Sequence, residues 1–241
     1  MNTATSVQHA APPPPPQAQA QTPSPPAITQ RYIVIEGPIG VGKTSLARKL
    51  AATLGAQLVL EQADDNPFLD RFYRNPQTGA LPAQLYFLFQ RAQQQQSLRQ
   101  QDLFGAQRVA DYLMDKDDLF ARLTLDEAEY QLYRQVHERL AVDPLKPDLV
   151  VYLQAPVDVL LERIARRGIA RENQIDRAYL TRLNESYARF FLEYEAAPLL
   201  IINAATIDPI GNDADYAELL AQLGRVNRGR QYYNPLRHAR I

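Results

Sequence analysis

The run Gly37-Pro38-Ile39-Gly40-Val41-Gly42-Lys43-Thr44 fits the pattern G-x-x-x-x-G-K-[ST]. Residue types at this spacing grip a polyphosphate: backbone N–H groups converge on the β-phosphate, and Lys43 supplies a mobile charge for the β/γ-phosphates. The Thr44 hydroxyl is placed for Mg²⁺, and with Ser45 it opens a helix whose N-terminus adds partial positive charge. Side chains on Gly37, Gly40 and Gly42 are expected to obstruct the close approach of phosphate oxygens to the main chain.

A phosphate loop serves ATPases, GTPase switches and kinases alike, so the other strand ends must decide between them. In open parallel sheets ligands lie beyond the carboxyl ends of the strands. The residues at those ends are Glu61, Asp111 and Gln154. Gln154 stands where a Walker B acid belongs, and no Asn-Lys-x-Asp guanine-reading sequence occurs, which argues against a motor or a switch. Glu61 is the candidate base. In a loose phosphoryl-transfer transition state the acceptor hydroxyl becomes acidic only as the new P–O bond forms, and an aligned carboxylate then takes its proton. Arg163, Arg166, Arg167 and Arg171 cluster around Gly168, with Arg163 and Arg167 at i and i+4 on one helical face. Planar, permanently charged forks of this kind suit a lid over a triphosphate.

These residues need a scaffold that brings strand ends together. Tyr32-Ile33-Val34-Ile35 is an apolar, β-branched run of the kind buried on both faces of a sheet. Further strands are predicted at Gln57 to Leu60, Gln107 to Ala110, Leu149 to Leu153 and Leu199 to Ile202. Between them fall helical patterns at Lys43 to Leu54, Pro82 to Gln101, Leu125 to Leu140, Val157 to Arg167 and Asp176 to Glu195. This alternation predicts an α/β, doubly wound five-stranded parallel sheet with right-handed crossovers. Leu125, Ala128, Leu132, Val136 and Leu140 form an apolar stripe that core packing explains, a subunit interface being the alternative.

The whole chain has 241 residues, 46% hydrophobic and 22% charged, which suits one globular core. A net charge of -1, from 26 basic and 27 acidic residues, gives no field for binding a nucleic-acid backbone. With no cysteine there is neither a disulfide nor a thiolate metal site, and His9, His137 and His238 are far apart in sequence. No apolar run reaches membrane-spanning length and no secretory signal opens the chain, so a cytoplasmic location without membrane contact is expected. Residues 1–29 are rich in Pro, Ala and Gln and are expected to form a disordered tail before a domain over 30–241.

With those residues assembled, the chain resembles the deoxynucleoside kinase family, in its bacterial deoxyadenosine/deoxyguanosine kinase-like branch. The likeness lies in Tyr32 to Leu50, EQADDNPFLDRFY (Glu61 to Tyr73), LPAQLYFLFQR (Leu81 to Arg91), DYLMDKDDLFA (Asp111 to Ala121) and Pro147 to Tyr194. The resemblance implies a P-loop nucleoside/nucleotide kinase-like fold, ATP and Mg²⁺ as cofactors, a deoxynucleoside substrate and a homodimer. It makes Glu61 the catalytic base, Gln90 the reader of the nucleobase edge, Arg163 and Arg167 the lid arginines, and Glu172 the acid that holds the sugar 3'-hydroxyl. Asp111 falls loosely where the family has an acid that places Mg²⁺. Two departures stand out. No arginine follows Asp111 directly, and Ile169 occupies a position where the lid commonly carries a further arginine, so that phosphate contact is either absent or supplied by Arg166 or Arg171. A thymidylate-like nucleoside monophosphate kinase, with Arg71 and Arg74 near the acceptor, is one rival reading. A nucleotide-binding interaction module that has lost catalysis is the other.

Overall fold

Continuous burial marks the centre of the molecule: β1 (Tyr32–Glu36) is closed off along its whole length, as an apolar run paired on both edges and covered on both faces should be. The computed structural model describes residues 27–101, 105–140 and 143–235. Around β1 lie β2 (Gln57–Val59), β3 (Arg108–Ala110), β4 (Leu149–Gln154), β5 (Leu199–Asn203) and β6 (Arg230–Tyr233). The sheet runs β2-β3-β1-β4-β5-β6, and every neighbouring pair is parallel. Six strands replace the five expected from the sequence. The additional one, β6, pairs Leu199 with Arg230 and Ile202 with Tyr233 at the edge of the sheet. An edge strand that leaves Tyr232 69% exposed carries no apolar run to announce it.

The helices are α1 (Lys43–Leu54), α2 (Leu69–Arg74), α3 (Pro76–Gln101), α4 (Lys116–Thr124), α5 (Glu127–Leu140), α6 (Val157–Arg167), α7 (Arg177–Glu193) and α8 (Asp213–Leu223). α1 buries Leu46, Ala47, Leu50 and Ala51, one apolar face at helical spacing, against β1, β2 and β3. α3 begins at Pro76 rather than at Pro82, since Pro76 itself fills the first-turn position that tolerates proline. The stripe expected on α5 holds in part: Leu125, Val136 and Leu140 are partly buried and pack against a core of Leu88, Met114, Ala121, Tyr130 and Tyr133. Tyr130 and Tyr133 are the buried residues, while Leu132 is 48% exposed and Ala128 faces out. The Tyr130 ring can be buried because its polar end finds a partner, its hydroxyl donating to Asp118 Oδ1 at 2.6 Å.

Of the expected tail, residues 1–26 lie outside the described residues. Ile28 already packs on the core and Gln30 Nε2 donates to the Val226 carbonyl at 2.7 Å. His9 and His238 also lie outside the described residues, and His137 sits beside the Tyr133 ring. Among the described residues no helix is long and apolar enough to cross a membrane.

α2 and α3 cross with almost no space between their backbones, because a Cβ on Gly79 would overlap the Phe72 main chain. Gly79→Ala is therefore expected to lower stability by about 1–3 kcal/mol through overpacking that backbone cannot relieve, read as a lower urea midpoint.

Candidate active site

The glycine loop leaves β1 through Glu36, whose fully buried carboxylate accepts the Gly37 N–H at 2.8 Å, the Leu113 N–H at 2.8 Å and the Tyr187 hydroxyl at 2.9 Å. One side chain thus ties the loop to the lead-in of α4 and to α7. The three glycines turn out to serve different ends. A Cβ at Gly37 would strike the Leu153 carbonyl of β4, and one at Gly40 would come within 2.9 Å of the Leu160 carbonyl of α6. Those two let the loop nest against its own fold. Gly42 has open space around its Cα but a φ of 106°, so backbone conformation rather than crowding selects glycine there. The Lys43 ammonium rests on the Gly37 carbonyl at 2.7 Å and the Pro38 carbonyl at 3.3 Å, and burial pushes its pKa below the ordinary lysine value.

Asp111, one residue past β3, joins the loop to the next strand end. Its Oδ2 accepts the Thr44 hydroxyl at 2.5 Å and its Oδ1 accepts the Glu61 N–H at 2.8 Å. Burial raises its carboxyl despite both hydrogen bonds. Thr44 and Asp111 therefore present hard oxygen ligands at one point. Among the described residues there is no group of three acids or histidines that could hold a metal alone. This donor set fits Mg²⁺, which takes one or two carboxylates and completes its shell with phosphate oxygens and water.

Glu61 is embedded in charge. Its Oε1 accepts Arg91 Nε at 2.9 Å together with a second, shorter bond from the same guanidinium, and Lys116 Nζ lies 3.4 Å away. Arg91 in turn pairs with Asp117, and Lys116 also stands 3.4 Å from Glu36. Burial pushes the Glu61 carboxyl up, but Arg91 and Lys116 outweigh it and hold the group down at about 2. With Oε1 engaged, Oε2 has no protein partner among the described residues and is the atom left for a substrate. The backbone on either side is clamped by α3: Gln94 Nε2 donates to the Leu60 carbonyl at 3.1 Å and Gln90 Nε2 to the Gln62 carbonyl at 3.3 Å.

Two hollows meet at the loop. A cavity of about 170 Å³ is bounded by Glu61, Gln84, Phe87, Arg91, Lys116 and Glu172 among others, and a larger depression of about 820 Å³ lies between the glycine loop, α6 and residues 204–210. Ile39, Lys43, Thr44 and Arg167 border both. Gln90 is in neither and belongs to a shallow groove against β2. Residues 84, 87 and 91 share a helical face that 90 does not, so Gln84 rather than Gln90 borders the smaller cavity. Arg163 lines the larger depression together with Arg166 and Arg167. Its fork is spent on the Val41 carbonyl at 3.0 Å and the Ala204 carbonyl at 2.7 Å, bracing the loop against the exit of β5. Arg166 lines the larger depression, Arg167 the boundary, where its Nε donates to buried Glu172 at 3.0 Å, and Arg171 the smaller cavity, paired with Asp64.

Sequence reasoning did not single out Tyr73, Gln84, Arg91 and Lys116, which line the smaller cavity, or Asp117, which pairs with Arg91. The i, i+7 spacing of Gln84 and Arg91 on a helix was a usable signal. Arg71 and Arg74 do not reach the cavity, Arg71 stacking on Phe68 and Arg74 bonding its own helix at Asp70.

A glycine-rich phosphate loop that shares a cavity with a partly buried, charge-paired carboxylate is the site of a phosphotransferase acting on a small molecule. The deoxynucleoside kinase profile matches residues 33–226, and the chain belongs to that family; it is a kinase. It is 32% identical over 200 residues to deoxyguanosine kinase of Bacillus subtilis (strain 168), covering 81% of this chain and 97% of the relative. It is 28% identical to the deoxyadenosine/deoxycytidine kinase of the same strain, covering 80% and 92%. It is 31% identical to deoxyadenosine kinase of Lactobacillus acidophilus (strain ATCC 700396 / NCK56 / N2 / NCFM), covering 80% and 94%. Deoxyadenosine kinase from M. mycoides with bound dATP superposes with a TM-score of 0.69 over 79% of this chain and 98% of that one, at 22% identity, which establishes the shared fold.

The Glu61 shift has a stability consequence. A carboxyl near 4.5 in the unfolded chain and about 2 in the folded one stabilises the fold above pH 4.5 by on the order of 3 kcal/mol, lost as pH falls toward 2. The stability of the protein, measured by urea unfolding, is expected to fall more steeply between pH 5 and pH 3 than that of Glu61→Gln.

Proposed function

We propose that this kinase moves the γ-phosphoryl group of ATP to the 5'-hydroxyl of a deoxynucleoside. The observation that carries the reading is the placement of Glu61, its Oε1 fixed by Arg91 and its Oε2 free on the wall of a cavity that Lys43 also borders. The triphosphate lies along the glycine loop (Gly37 to Ser45), with its base in the larger depression. Thr44 and Asp111 would hold Mg²⁺, which would supply charge neutralisation to the phosphates. Glu61 Oε2 orients the acceptor hydroxyl and takes its proton as the P–O bond forms. Lys43 and Arg167, at the boundary of the two hollows, face the charge that develops on the transferring group. Arg163 keeps the loop in shape.

On the acceptor side Glu172 and Tyr73 bind the sugar, and Gln84 with Phe87 meets the base. A side-chain amide donates and accepts together, which suits a purine or cytosine edge. Residues 30–241 form one kinase domain, working in the cytoplasm and bound neither to nucleic acid nor to membrane. A homodimer is supported by Phe89 and Leu132, 51% and 48% exposed on the mutually packed helices α3 and α5. The monophosphate-kinase reading loses its expected phosphate contact, because Arg71 and Arg74 stand outside the cavity.

In a coupled assay of ADP release with ATP, Mg²⁺ and the natural deoxynucleosides, acceptor-dependent turnover is expected, with thymidylate inert. Glu61→Gln is expected to lose about 10²–10⁴-fold in kcat while ATP binding by calorimetry is retained. Wild-type protein releasing no ADP in response to any acceptor would instead mark an interaction module.

Base reading has its own check. Gln84→Leu is expected to lower kcat/KM for the preferred deoxynucleoside by about 10-fold or more, the cost of an unpaired polar edge. Gln90→Leu should leave the ranking of bases unchanged. A reversed result would return the role to Gln90.

A further inference from the structure

Of the two cations beside Glu61, one is fully engaged and the other is not. Arg91 is divided between Glu61 and Asp117. Lys116, at the start of α4, is 3% exposed at its side chain yet lines the acceptor cavity, and its only ion contacts among the described residues are to Glu61 and Glu36, both at 3.4 Å. That separation exceeds a good N–H···O hydrogen bond, so the ammonium is held electrostatically with its donors unspent. Its neighbours have little further demand on it. Glu36 already accepts two backbone N–H groups and the Tyr187 hydroxyl, and Glu61 Oε1 already takes two bonds from Arg91. The Phe120 ring, 5.7 Å from Nζ, closes the remaining side.

We propose that Lys116 is a catalytic residue that binds the transferred phosphoryl group from the acceptor side, opposite Lys43. The residue directly after Asp111, where the sequence lacks an arginine, is Tyr112, fully buried and turned into the core, so the local cation comes from the first turn of α4 instead. During transfer the bond from the γ-phosphorus to the ADP oxygen breaks as the bond to the acceptor oxygen forms, and the hydroxyl proton passes to Glu61 Oε2. Lys116 gives up no proton. Its ammonium moves from its loose contacts onto a non-bridging phosphoryl oxygen, and stays there in the monophosphate product.

This inference rests on Glu61 being the base, and the test separates the two. Lys116→Met, Lys116→Gln and Lys116→Arg are compared with wild type using whichever of deoxyadenosine and deoxyguanosine wild type phosphorylates faster, and its 5'-monophosphate. Lys116→Met and Lys116→Gln are expected to lose about 100-fold in kcat. Calorimetry should show the deoxynucleoside bound within about twofold of wild type and the monophosphate bound about 10-fold or more weakly. Lys116→Arg should recover most of the monophosphate affinity. A merely structural lysine would weaken both ligands together. Loss of both in equal measure, or an active Lys116→Met with unaltered monophosphate affinity, overturns the inference and leaves Glu61 untouched. An inactive wild type overturns the function itself. Should Lys116→Met fail to fold, the Gln and Arg variants decide on the same readouts.

Discussion

Everything at this site depends on keeping a carboxylate ionised inside the protein. Glu61 is largely withdrawn from water, and burial alone would protonate it. Arg91 and Lys116 prevent that, but a buried cation is itself costly unless paired, so Asp117 and Glu36 are drawn in behind them. The result is a small charged interior within an apolar fold, with Lys43, Arg91 and Lys116 set against Glu36, Glu61, Asp111 and Asp117. Asp111, its carboxyl raised by burial, marks the place where one more positive charge is welcome.

The sheet supplies the positions. β1 lies between β3 and β4, so the glycine loop, Asp111 and the exit of β4 emerge side by side at one end of the sheet. Glu61 follows the edge strand β2, and its place is fixed not by strand pairing but by its own N–H bonded to Asp111 and by Gln94 and Gln90 holding the carbonyls of Leu60 and Gln62 on either side. A base on a strand edge gains accuracy from such side-chain clamps, which fits the requirement that reacting groups be held to a fraction of an ångström.

Much of this was legible in the sequence, for reasons that can be named. The P-loop is read from local spacing alone, and α1 and α6 begin and end where their sequence signals place them. Asp111 and Glu61 follow from the rule about strand ends. α3 was harder: Leu85-Tyr86-Phe87-Leu88-Phe89 is apolar on every face, so periodicity could not say which glutamine points into the cavity. On α5 Val136 and Leu140 pack inward as their spacing suggested, but Tyr130 and Tyr133, outside that stripe, are the most buried residues of the helix. Lys116 and Asp117 sit in a run of charges that reads as a solvated surface, and only the fold reveals that they are buried beneath Glu61. Arg163 was recognisable as a fork but not as one already occupied by backbone carbonyls.

The most direct measurement is a crystal structure with the preferred deoxynucleoside, a non-hydrolysable ATP analogue and Mg²⁺ bound together. The account predicts the sugar 5'-oxygen at about 3 Å from Glu61 Oε2 and in line with the γ-phosphorus. A 5'-oxygen facing another group, with Glu61 remote from the bound sugar, would contradict it.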